Sequence, residues 1–161
     1  MAMRNSRSLC LADIRAAILR DPLAAWIHFY LENLDPGRVF SRMRVEEKHL
    51  APTGFLHASV LTAFADISCG LGTFLALPDE DHTFATLEIK TNFLRTLRQG
   101  EIHCAAHSRH KGGATQVWDA EVRDPAAGTT LILFRCTQMI LDKRRLSGAR
   151  GKRDPQSAIF L

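Results

Sequence analysis

Between Ala58 and Pro78 the chain carries a single formal charge, Asp66, within the run HASVLTAFADISCGLGTFLAL that starts at His57. An ionised carboxylate among apolar side chains is costly unless it is paired or reaches water. Two readings follow. As a functional group, Asp66 is an active-site base of raised pKa facing a cleft. As a structural group, it bonds to backbone or to a neighbouring subunit. His49 is a candidate for a site entrance and equally for a structural bond within a loop. His103 and His107 share one face of a strand at a spacing that suits a metal, but no third ligand accompanies them, so no metal site is expected. Arg95, Arg109 and Lys111 stand near turns where they can meet phosphates, and Gly112 and Gly113 allow close backbone approach. Solvated surface charge explains those residues as well.

The elements that must position these groups are legible in outline. Residues 9–20 read as an amphipathic helix, and Asp21-Pro22 opens another helical turn with proline at its first position. Residues 27–34 are extended and apolar. Asp35-Pro36-Gly37 makes a turn, and residues 38–46 return as the second strand of a hairpin. Residues 57–77 are apolar nearly all round, which predicts a helix buried on most sides. Four strands follow. In Thr83–Leu94, positions 85, 87, 89, 91 and 93 form one face and Thr86, Glu88, Lys90 and Asn92 a wet one. Glu101–Arg109 and Thr115–Arg123 alternate in the same way, and Thr129–Leu141 is a long apolar strand. Turn signals at Arg98-Gln99-Gly100, Lys111-Gly112-Gly113 and Asp124-Pro125 predict an antiparallel meander. A hairpin, a buried helix and four strands are satisfied by an α+β fold, one antiparallel sheet wrapped around one long central helix. Residues 58–77 are just long enough to cross a membrane. Asp66 at mid-span, costing at least about 2.5 kcal/mol, and the alternating strands elsewhere argue against that.

Two segments carry a family resemblance. His49–Asp66, HLAPTGFLHASVLTAFAD, resembles the PaaI-like hot-dog thioesterases, whose pattern runs H-x-N-x-x-G-x-x-H-G-G, six apolar residues, then D. Thr86–Arg95, TLEIKTNFLR, resembles the strand that follows the helix in that family, and Gly100 with Glu101 fits the next turn. The resemblance covers residues 22–141. It implies a hot-dog domain at 22–142, preceded by a helical extension at 1–21 and followed by a basic tail at 143–161. It implies hydrolysis of an acyl-CoA or aryl-CoA thioester with no cofactor, since CoA belongs to the substrate. By position, Asp66 matches the carboxylate that activates water or attacks the carbonyl. Thr86 matches the hydroxyl that helps hold that water, and His57 the histidine that positions the substrate. Ala58 matches a glycine whose N–H polarises the carbonyl, and Gly54 keeps the glycine of the motif. The family's Asn position is Ala51 here and its Gly-Gly is Ala58-Ser59, so one side-chain donor is missing and the helix tip is narrower. The resemblance also implies a site shared between two subunits, in a homodimer or a homotetramer. Geometry alone supports that: Asp66 lies nine residues past His57, about 13 Å along one helix, so one helix cannot bring both to one carbonyl.

Other features bound the alternatives. The chain has 161 residues, 46% of them hydrophobic, enough for one domain with a real core. Its net charge of +4 equals that of the stretch from Asp142 to Asp154, so the body is near neutral. A neutral body argues against nucleic acid as a partner, and the basic stretch reads as a solvated disordered end. Cys10, Cys69, Cys104 and Cys136 fit no zinc spacing, and the last three read as buried free thiols. Arg4 and Arg7 precede an apolar run too short for a signal peptide, which points to the cytoplasm and away from a membrane. The competing functions are an acyl-CoA-binding protein without turnover, consistent with Ala51 and Ala58, and a hot-dog hydratase or dehydratase, whose H-F-P-G-type entry is absent.

Overall fold

In the computed structural model, residues 11–149 are described; Arg4, Arg7, Cys10, Arg150, Lys152, Arg153 and Asp154 lie outside them. The chain begins with α1 (Leu11–Ile18) and a single turn, α2 (Pro22–Trp26). Asp21 caps α2 by accepting from the N–H groups of Leu23 and Ala24, and proline sits at its first position. Strands β1 (Tyr30–Asp35) and β2 (Arg38–Val45) form the expected hairpin, closed through Gly37 at φ +72°. A short 3-10 turn (Glu47–His49) leads to α3 (Ala58–Leu75), then β3 (His82–Phe93), β4 (Gly100–Lys111), β5 (Thr115–Asp124), β6 (Thr129–Asp142) and α4 (Lys143–Ala149).

Among the described residues, six strands form one antiparallel sheet in the order β1-β2-β4-β5-β6-β3. The helix α3 packs against it through Leu61, Phe64, Ala65, Ser68, Cys69 and Gly72. Gly72 is required there, because a Cβ would lie 2.4 Å from the Trp118 ring. Cys69, Cys104 and Cys136 are buried free thiols, and burial pushes Cys104 up to about 12.

The structure corrects four expectations. First, only β4, β5 and β6 form a meander; β3 pairs with β6 at the far edge, while β4 pairs with β2. The turn signal at Arg98-Gln99-Gly100 therefore ends a crossover. Second, α3 is buried on one side only, since one sheet covers one side of a helix. Asp66, Ile67, Gly70 and Leu71 are half-buried, and Phe74 and Leu75 are exposed. Third, the two faces predicted for β3 switch midway. Thr86 pairs with Gln138 and Glu88 with Thr137, so Leu87 is an extra, bulged residue. The residues paired with β6's buried row are thus Phe93, Thr91 and Ile89 and then, past the bulge, Thr86. Fourth, the basic stretch does not begin as a disordered end. Residues 143–149 are helical, with the Lys143 N–H donating to the Asp81 carbonyl, Lys143 Nζ to the Glu80 carbonyl and the Arg144 N–H to Asp142 Oδ1. The Arg144 guanidinium holds the Asp142 carboxyl down at about 2.

Candidate functional site

The two ends of the His49–Asp66 segment open onto different pockets. At the start of α3, His57 is the N-cap: its Nδ1 accepts from the Ser59 N–H at 3.2 Å and from the Ser59 hydroxyl at 2.7 Å. Accepting twice at Nδ1 places the neutral ring's proton on Nε2. Ala58 follows at the first helical position, where an N–H has no intrahelical acceptor, and no acidic residue in the first turn offsets the positive end of the helix. The loop before the cap is held at several points. The Leu56 N–H donates to the Leu97 carbonyl and the His57 N–H to the His49 carbonyl, and Gly54 sits at φ +77°. Around the tip lies a pocket of about 340 Å³ lined by His57, Ser59, Trp26, Lys48 and Leu23.

Eight residues further along, about 12 Å up the helix axis, Asp66 faces another pocket of about 500 Å³ that it shares with Thr86, Ile67, Gly70, Phe74 and Phe84. Asp66 Oδ1 is buried with no hydrogen-bond partner, and burial raises the carboxyl above its ordinary pKa. The bulge at Leu87 is what brings Thr86 to this side. Its hydroxyl donates to Gln138 Oε1 at 2.9 Å, while Gln138 Nε2 contacts Cys136 Sγ at 3.3 Å. Gln138 is fully buried and fixes the Thr86 rotamer beside Asp66. With its own proton engaged, the Thr86 oxygen keeps lone pairs that can accept from a water. The arrangement therefore offers a base of raised pKa, a hydroxyl acceptor and apolar walls, and separately a helix tip that can stabilise negative charge.

Of the remaining sequence candidates, His49 lines the pocket at the helix tip and the others gather at neither place. His49 is sealed: Nδ1 accepts from the Glu46 N–H at 3.0 Å, Nε2 lies 3.4 Å from the Trp26 carbonyl, and burial lowers its pKa. Its polar atoms are used by the loop backbone, so it stands as a fixed part of that pocket's wall. Ala51 is half-buried and its N–H is used by the Phe55 carbonyl in the Gly54 turn. Arg109 is paired with Asp119 at 2.7 Å on the outer sheet face, where Arg135 shares the same carboxylate. Arg95 is exposed on the crossover. Lys111 lines a small recess near the β1–β2 turn. At Gly112 a Cβ would meet the His110 ring at 2.7 Å, and Gly113 faces open space, away from both pockets described above. His103 bonds Glu101 through Nε2 at 3.0 Å. Sequence reasoning missed Gln138, Trp26, Lys48 and the whole inner face of α1. Gln138 had a visible signal, as a lone amide in an apolar strand; the others had none.

Known proteins resemble this chain in sequence and fold. The family model described as Thioesterase superfamily matches residues 53–130. The 1,4-dihydroxy-2-naphthoyl-CoA hydrolase of Listeria monocytogenes is 28% identical over 113 residues, covering 70% of this chain and 90% of that protein. A thioesterase family protein from Silicibacter pomeroyi is 27% identical with a TM-score of 0.73, covering 80% of this chain and 96% of that one. The PaaI protein of Escherichia coli, at 22% identity and a TM-score of 0.69 over 78% of this chain and 88% of that one, shares the fold.

Proposed function

We propose that this chain, which the thioesterase superfamily model matches over residues 53–130, is a member of that superfamily and hydrolyses an acyl-CoA or aryl-CoA thioester to the free acid and CoA. In this reading Asp66 takes a proton from a water held by Thr86, and the water oxygen attacks the thioester carbon. The carbonyl oxygen becomes an oxyanion beside the Ala58 N–H, with His57 Nε2–H positioned to orient the substrate. Collapse of that intermediate breaks the C–S bond, and the CoA thiolate leaves and takes up the proton. Direct attack by Asp66, through an anhydride that water then opens, uses the same geometry. No cofactor enters either route.

The observation that carries the reading is Asp66, which lines a pocket with Thr86 and has a buried, unpartnered Oδ1. A native buried acceptor without a donor calls for a reason, and a waiting water or substrate supplies one. The helix tip that completes the chemistry comes from a second copy. Support lies in β3, an edge strand of 12 residues that exposes Leu87, Ile89 and Phe93, an edge suited to pairing with another chain. The test is thioester cleavage followed with a thiol reagent across short, branched, long and aromatic CoA esters, comparing wild type with Asp66→Asn. Loss of turnover in the variant supports the reading. Equal rates remove Asp66 from the mechanism, and saturable CoA-ester binding with no turnover by wild type makes the protein a binder of those esters.

A further inference from the structure

The pocket in front of Asp66 is built partly from an element outside the segment that matches the family. α1 turns Ile14, Ala17 and Ile18 into it, opposite Ile67, Phe74 and Phe84. The spacing of Ile14 and Ile18 places both on one face of that helix. α1 is anchored from its other side: Arg15 donates through Nε to the Leu31 carbonyl at 2.7 Å and through Nη2 to the Glu32 carbonyl at 3.0 Å, and its guanidinium lies 4.7 Å from the Tyr30 ring centre. These bonds occupy carbonyls of the edge strand β1 and fix the wall in place. The volume, about 500 Å³, lies in the range of sites that engulf a small ligand. Among the described residues no lysine or arginine lines it, and Asp66 is the charged group at its inner wall.

Resting on the thioesterase reading above, we propose that α1 is the acyl-specificity wall, and that the pocket takes a neutral, largely apolar acyl or aryl group of moderate size. An acyl group ending in a carboxylate would bring an anion toward Asp66 and among described side chains that include no lysine or arginine, which is costly. An apolar group gains by leaving water for Ile14, Ile18 and Phe74. Ile18 sets the depth.

The experiment measures kcat/KM for acetyl-, hexanoyl-, benzoyl- and succinyl-CoA with the full chain and with Ile18→Trp, each checked for folding by circular dichroism. Wild type is expected to favour hexanoyl- and benzoyl-CoA over succinyl-CoA by about a hundredfold, and Ile18→Trp to lower the hexanoyl-to-acetyl ratio by about tenfold. Succinyl-CoA cleaved as well as hexanoyl-CoA, or a ratio unchanged in Ile18→Trp, overturns the proposal while leaving the thioesterase reading intact. If wild type cleaves none of the four, that reading falls, and calorimetry with hexanoyl-CoA decides the wall by itself: weaker binding by Ile18→Trp supports it, and equal binding overturns it.

Discussion

The two ends of α3's functional stretch are built on opposite principles. At the tip, His57, Ala58 and Ser59 are exposed, polar and held by a side-chain cap. At mid-helix, Asp66 is half-buried among apolar side chains, with one oxygen unpartnered and its pKa raised by desolvation. The tip offers donors and positive potential to an anion; the middle offers a base that keeps its proton affinity because water is scarce. In the reading proposed above, each is half of an acyl-transfer site. About 12 Å of helix separates them, so in that reading the halves that meet at one carbonyl come from two copies of the chain.

The sharpest way to break this comparison is to remove one half at a time. Asp66→Asn is expected to lower kcat by roughly 10²–10⁴, the usual worth of a general base, measured at saturating thioester. Ala58→Pro removes the tip's N–H while leaving the helix able to form. Proline is favoured at the first helical position, and His57 already has the extended conformation that precedes proline, φ −66° and ψ 134°. We expect kcat to fall by about 10²–10³ with an unchanged circular dichroism spectrum. Thr86→Val, which keeps the shape and removes the acceptor, is expected to cost about tenfold in kcat.

The smallest effect is on stability, and its sign differs between the halves. Burial raises the Asp66 pKa in the folded state, so the ionised form destabilises the fold at neutral pH. That penalty is present above the raised folded pKa and is relieved as pH falls through it toward the ordinary carboxylate value. Asp66→Asn should therefore melt a few degrees above wild type at neutral pH, and the gap should close on acidification. His57→Ala, which removes a cap, should melt below wild type. Calorimetric melts at neutral and acidic pH check both.

Local pattern was readable in the sequence and long-range placement was not. The hairpin around Gly37, the α2 cap at Asp21 and the bounds of α3 and β4–β6 follow from turn chemistry and periodicity, which act over a few residues. That β3 would leave its neighbour β4 and pair with β6 depends on which edge the crossover reaches, a choice carried by no short pattern. The bulge at Leu87 is invisible because an extra residue in an alternating strand still alternates; only the register against Thr137 and Gln138 exposes it. The same shift decides that Thr86 stands beside Asp66. The burial of Asp66 was legible because charge in an apolar run is rare, whereas the ion pair of Arg109 was not, because its partner Asp119 is ten residues away on the next strand.

The shared site is tested most directly by mixing. Asp66→Asn and Ala58→Pro chains, each nearly inactive alone, are co-refolded in equal amounts and assayed for thioester cleavage. If one copy supplies the carboxylate and the other the helix tip, mixed dimers regain one intact site and roughly a quarter of wild-type activity returns. A mixture no more active than its two parents would contradict the account.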